Sequence, residues 1–225
     1  MINMYEKEKE FLKSKDSFTM DDLRLIMKIL RAPDGCPWDA EQTHKSIVPS
    51  LIEETYEVIE GIEADDPEMI CEELGDVLLQ VAFHSEIEEE KGVFTFDDAV
   101  SGVCRKMIVR HPHVFGDVVA ETSADVLKNW DAIKAETKKQ KDLGQRLSSI
   151  AKPLPALVRT QKVMHKAAKE IDIPSPAVSD RLSADEKRIG DAFASVIKEC
   201  ERLGIDAETA LRHYCDAMID EIKSL

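Results

Sequence analysis

Two short stretches carry residue types that could hold a cation. Glu53-Glu54-Thr55-Tyr56-Glu57 and Glu72-Glu73-Leu74-Gly75-Asp76 each set carboxylates one helical turn apart. On a helix advancing about 100° per residue, Glu54 and Glu57 stand roughly 60° apart, as do Glu73 and Asp76, so each pair shares a face. Such neighbours repel by roughly a few tenths of a kcal/mol per pair in water, and by more when partly buried. A cation relieves the repulsion, and ligands that offer only oxygen suit Mg²⁺ or Mn²⁺. A solvated Glu-rich face accounts for either stretch alone. The two in succession, separated only by Asp65-Asp66-Pro67, favour convergence on one ion.

The elements that must position these acids read as helices. Leu51, Ile52, Thr55, Ile59 and Ile62 form one apolar stripe, and Ile70, Leu74, Val77, Leu78 and Val81 form another. Antiparallel packing across the short turn brings both carboxylate pairs to the edge of a helical core. The first carboxylate helix is expected from His44 or Pro49 to Ala64. The second is expected from Pro67, a residue suited to a first turn, to near Gly92.

Strand signals are nearly absent elsewhere, and helix starts recur. Thr19 and Asp22 have capping spacing, followed by Leu23, Ile26, Met27 and Leu30 on one face; this helix stops at Ala32-Pro33-Asp34-Gly35. Gly35-Cys36-Pro37-Trp38-Asp39 reads as an irregular loop, with Trp38 either a packing anchor or a pocket wall. Thr95 and Asp98 open a helix that ends before Pro112, with Arg105, Lys106 and Arg110 on its polar face. His111 and His113 flank Pro112 either as metal ligands or as structural turn residues. A helix from Ser123 to Lys141 carries Trp130 and Lys134 at i, i+4, which either face a nucleotide or divide into core residue and surface cation.

Leu143 to Pro155 reads as a linker, and helices are expected at 156–170, 183–202 and 206–224. This last part resembles a faded copy of the first. Leu74-Gly75-Asp76-Val77 aligns with Ile189-Gly190-Asp191-Ala192, and Asp97, Ala99, Cys104 and Met107 align with Glu208, Ala210, Cys215 and Met218. Arg188 stands opposite Glu73, and no Glu-Glu-x-x-Glu helix precedes it. A cation in a ligand position opposes metal capture, so the chemistry is expected in the first half.

With 225 residues, 43% hydrophobic and 33% charged, the chain is globular and can bury a substantial core. Its formal net charge of −15 disfavours nucleic-acid partners, which need a basic footprint. The charged N-terminal stretch and the lack of a long apolar run predict no secretory signal, no membrane span and a cytoplasmic location. Cys36, Cys71, Cys104, Cys200 and Cys215 lack Cys-x-x-Cys spacing and read as reduced thiols, mostly filling the core.

Four ordered motifs carry a family resemblance: Gly35-Cys36-Pro37-Trp38-Asp39; Glu53-Glu54-x-x-Glu57 followed by Glu73-x-x-Asp76; Arg110-His111-Pro112-His113-Val114-Phe115; and Trp130-Asp131-x-x-Lys134. They resemble the MazG nucleoside triphosphate pyrophosphohydrolases. The resemblance implies a four-helix-bundle-like all-α fold with a degenerate second helical copy, a homodimer, and hydrolysis of a nucleoside triphosphate to monophosphate and pyrophosphate. It implies Mg²⁺, or Mn²⁺, on Glu54, Glu57, Glu73 and Asp76, with Glu53 and Glu72 orienting or deprotonating water. Lys106, Arg110, Trp130 and Lys134 match positions used around the nucleotide. The corresponding organisation is an N-terminal extension over 1–18, a catalytic domain over 19–142, a linker over 143–155 and a non-catalytic copy over 156–225. The competing readings are a relative specific for dCTP/dUTP or phosphoribosyl-ATP, a non-catalytic helical interaction module, and a di-iron bundle. The last wants Glu-x-x-His where this chain has Glu-x-x-Asp.

Overall fold

A computed structural model describes residues 4–120, 122–126, 129–130, 133, 142–171 and 182–223. The fold is all-α, and no strand occurs among the described residues. Two compact units divide the chain, Met1–Val119 and Ala120–Leu225.

In the first unit, α1 spans Glu6–Lys13, α2 Met20–Arg31, α3 Pro37–Glu41, α4 Val48–Glu63, α5 Pro67–Glu89, α6 Phe96–Arg110 and α7 Pro112–Phe115. Both expected capping boxes form. The Thr19 hydroxyl accepts from the Asp22 backbone N–H while the Asp22 carboxylate accepts from Thr19, and Thr95 and Asp98 do the same for α6. Each satisfies donors that the first turn of a helix leaves orphaned. The α4–α5 turn is tight: Asp65 takes a left-handed φ of 51°, and the Asp66 side chain accepts from the backbone N–H of Glu68 and Met69. Gly61 on α4 is buried where a Cβ would lie 3.1 Å from Ile70. The missing side chain thus lets the two helices approach closely just before they turn.

The core sits at the other end of α5. Met27 from α2, Ile47 just before α4, and Phe83 and Ile87 from α5 form it, with Leu30 and Leu79 packed against them. Arg31 closes its edge, its guanidinium 5.3 Å from the Phe83 ring centroid and its Nε and Nη2 donating to the two carboxylate oxygens of Glu90 at 2.7 and 2.8 Å. The same side chain donates to the carbonyls of Asp39 and Gln42, fixing the segment that follows the Trp38 motif.

Several sequence expectations are corrected here. The Gly35–Asp39 motif is not wholly irregular: Pro37 starts α3, because a proline at the first helical position gives up an N–H that has no partner anyway. Trp38 is 61% exposed, so it is not a packing anchor within this chain. No cysteine fills the core; Cys71, Cys104 and Cys215 are exposed and Cys36 and Cys200 half-buried. The apolar stripes of α4 and α5 are also largely open, with Ile52 52%, Leu74 47% and Leu78 42% exposed.

In the second unit, α8 spans Leu143–Ser148, inside the interval read as a linker; α9 spans Ala156–Ala167, α10 Ala184–Leu203 and α11 Ala207–Lys223. Gln161 ties α9 to the start of α11, donating to the Ile205 carbonyl at 2.9 Å and accepting from the Ala207 backbone N–H at 3.0 Å. The expected helix from Ser123 to Lys141 lies mostly outside the described residues. No described helix is long and apolar enough to cross a membrane.

Met27 is 1% exposed within the tightest part of the core. Met27→Ala should therefore cost about 2–5 kcal/mol, the range for a large side chain lost from a packed interior, and urea unfolding measures it.

Candidate functional site

The turn at 64–66 makes α4 and α5 an antiparallel hairpin, so positions equally distant from it stand opposite one another. The carboxylates meet on that ladder. Glu54, Glu57 and Glu73 each offer an oxygen within 4.8 Å of the other two, and all three are half-buried. Oxygens bound to one Mg²⁺ stand about 3 Å apart when adjacent and about 4 Å apart when opposite, so the three carboxylates would draw inward to share such an ion. Three carboxylate donors, no sulfur and no imidazole form a set for a hard divalent cation.

Asp76 stands outside that trio, but its charge is felt. Glu54 has its pKa raised, first by partial withdrawal from water, then by the charge of Asp76 and by contact with Glu57. Glu73 is raised likewise, first by withdrawal from water and then by the charges of Glu57, Glu72 and Asp76. Four of the acids named from sequence, together with Glu72, therefore share one electrostatic field. Glu53 and Glu72 are exposed on α4 and α5.

The cationic candidates are placed differently. Lys106 is exposed on α6, and Arg110 is buried as its last residue. Trp130 is half-buried and belongs to the second unit, and Lys134 lies outside the described residues. His111 Nδ1 donates to the Met107 carbonyl at 2.6 Å, capping the end of α6. Neither His111 nor His113 belongs to a metal-binding group among the described residues.

Sequence reasoning missed a second polar cluster on α5. His44 Nδ1 lies 2.8 Å from His84 Nδ1, and His44 Nε2 lies 2.6 Å from Glu88 Oε1. Lys91 donates to the same Glu88 oxygen at 2.7 Å. The available signal was His84 and Glu88 at i, i+4; nothing local linked them to His44, forty residues away.

The family model of the MazG nucleotide pyrophosphohydrolase domain matches residues 42–115, the stretch that contains the carboxylate trio. The nucleoside triphosphate pyrophosphohydrolase/pyrophosphatase MazG of Thermotoga maritima is 36% identical over 220 residues, covering 91% of this chain and 84% of that protein. The chain belongs to the MazG family. The nucleoside triphosphate pyrophosphohydrolase of Escherichia coli K12 is 38% identical over 215 residues, 86% of this chain and 81% of that protein. An uncharacterized protein, YabN of Bacillus subtilis, is 49% identical over 140 residues; the match spans 62% of this chain and 28% of that longer protein.

The raised carboxylates of this MazG domain fix the sign of a pH effect. Groups whose pKa rises on folding contribute stability at acidic pH and lose it as pH climbs through the raised value. A divalent cation reverses this by favouring the ionised form, displacing protons as it binds. Calorimetric titration with a divalent cation in buffers of different ionisation enthalpy should find net proton release at acidic pH that declines as pH rises.

Proposed function

We propose that this protein hydrolyses nucleoside triphosphates to the monophosphate and pyrophosphate with Mg²⁺, Mn²⁺ serving as a substitute. The observation that carries the reading is the meeting of Glu54, Glu57 and Glu73 from α4 and α5 within 4.8 Å, with Asp76 alongside. Broad base tolerance is part of the proposal, supported by relatives whose names specify a nucleoside triphosphate and no base.

Glu54, Glu57, Glu73 and Asp76 would hold the ion, which when bound supplies charge neutralisation and Lewis acidity towards the phosphates. Glu53 and Glu72, exposed beside that set, are the groups proposed to orient water and take its proton. The water oxygen bonds to the α-phosphorus, the bridging bond to the β-phosphate breaks, and pyrophosphate leaves. Lys106 and Arg110 lie one turn apart near the end of α6, which packs on α5. That supports a role in binding the charge that develops on the leaving group. Trp130 and Lys134 are proposed to contact the nucleoside.

Two further parts of the proposal concern organisation. The catalytic domain is assigned to 19–142, with 1–18 as an extension, 143–155 as a linker, and 156–225 as a non-catalytic copy. Asp191, aligned with Asp76, is held by Lys187 at 2.6 Å, and Arg188 pairs with Asp185. A site so occupied by cations is poorly suited to an ion. The second part is a homodimer. Ile52, Tyr56, Leu74, Leu78 and Val81 leave an open apolar face on α4 and α5 that a second copy would cover, completing a four-helix bundle. The proposed location is cytoplasmic, where the substrate is.

Product analysis tests the chemistry: pyrophosphate should appear in equal amount to the monophosphate, and Glu57→Gln or Asp76→Asn should abolish it without unfolding the chain. Orthophosphate as the first product, or full activity in both variants, refutes it. Leu78→Glu should convert a dimer into a monomer by light scattering, since a charge cannot remain unpaired inside an apolar interface.

A further inference from the structure

α4 is fastened to α5 at two places, and the carboxylates lie between them. One is the tight turn at 64–66. The other is the contact of His44 with His84, three residues before Ile47 enters the core and four before α4 begins. Glu54 lies just under two turns into α4, so the angle and register at which α4 leaves this point set where Glu54 and Glu57 meet Glu73.

Hydrogen counting fixes the protons in the contact. Glu88 is held ionised by hydrogen bonds from Lys91 and His44, so its oxygen can only accept. His44 Nε2 therefore carries a hydrogen. With His44 neutral, its Nδ1 is a bare acceptor, and the hydrogen in the 2.8 Å contact belongs to His84 Nδ1. The remaining nitrogen, His84 Nε2, is buried with no hydrogen-bond partner. Two Nδ1–H groups cannot face each other at 2.8 Å, so the pair holds at most one proton beyond its neutral complement. Burial, followed by the neighbouring His44 ring, lowers the His84 pKa below 6.5.

We propose that His44, His84 and Glu88 form a clamp that positions the metal-binding acids of α4 against α5, and that double protonation of the two histidines opens it. His44 and His84 are positioning residues here; neither touches substrate. The inference rests on the proposed metal site for its consequence, but not for its existence.

Other charged groups also reach this part of α5. On α2, Lys28 pairs with Glu89 and Arg31 with Glu90. On α5 itself, buried Glu86 faces Lys28. On α6, Asp97 pairs with Arg24 and Asp98 holds the Thr95 cap. On α4, Glu54 and Glu57 face Glu73, and Lys45 in the preceding segment is exposed. All of these are common to the variants below, so their titration cancels in the comparison.

Ring nitrogen NMR on the wild-type protein near pH 7.5 should find His44 protonated at Nε2 and His84 at Nδ1. The Nε2–H tautomer of His84, or two rings titrating independently, overturns the clamp. His84→Asn keeps an N–H aimed at His44 but cannot take up a proton. Between about pH 7.5 and pH 5.5, thermal stability and Mg²⁺ affinity should fall more steeply in the wild type than in His84→Asn. His84→Leu should weaken Mg²⁺ binding by about tenfold at pH 7.5, the low end for groups that orient metal ligands. Superimposable wild-type and His84→Asn profiles overturn the proposal, as does wild-type affinity in His84→Leu. If the wild type binds no Mg²⁺ while the ring signals and stability profiles are as expected, the functional reading fails and the clamp stands.

Discussion

Like charges held together on two tethered helices are the constraint to which the first unit answers. Glu54, Glu57 and Glu73 stand in mutual repulsion, with Asp76 adding to it, and partial withdrawal from water makes the ionised forms of Glu54 and Glu73 less favourable still. Such an arrangement persists only where the backbone forces it. Here the force comes from the tight 64–66 turn, the close approach at Gly61, and the burial of Ile47, Phe83 and Ile87 at the far end of the hairpin. The acids occupy the stretch between two anchors, which is also the stretch with the least hydrophobic cover. Core and acids are thus divided along α5, the core at its C-terminal half and the acids at its N-terminal half.

That division explains why α5 is long and of mixed character. One row of it carries the polar residues Asp76, Gln80, His84 and Glu88 at successive i, i+4 positions, while Phe83 and Ile87 point to the core. Buried polar groups are costly unless satisfied. The His44–His84–Glu88–Lys91 chain satisfies Glu88 and one nitrogen of His84, Gln80 Oε1 and His84 Nε2 are left without a partner, and Arg31 with Glu90 seals the end of the helix. The open apolar face beside the acids has no such cover among the described residues of the first unit, and that exposure is the ground of the proposed second copy.

Among its described residues the second unit has well-formed helices and no acidic trio like that of the first. The Ser183–Glu186 capping box opens α10 and Gly204 closes it in the left-handed region. Helix formation depends on caps and apolar spacing, and both are present here. A metal site depends on a few charges, and here Lys187 pairs with Asp191 and Arg188 with Asp185.

The sequence by itself determined the helices and the pairing of acids, because caps, prolines and one-turn spacing are local. Thr19 with Asp22, Thr95 with Asp98, and Pro67 after Asp66 mark their helix starts, and Glu54 with Glu57 needs only the helical repeat. Tertiary structure decided the rest. That Glu73 closes the trio, that Trp38 is exposed, that the α4 and α5 stripes remain open, and that His44 meets His84 are matters of how distant segments pack. Contacts across forty residues leave no periodic trace in the chain, since a histidine looks the same whether its partner is water or another ring.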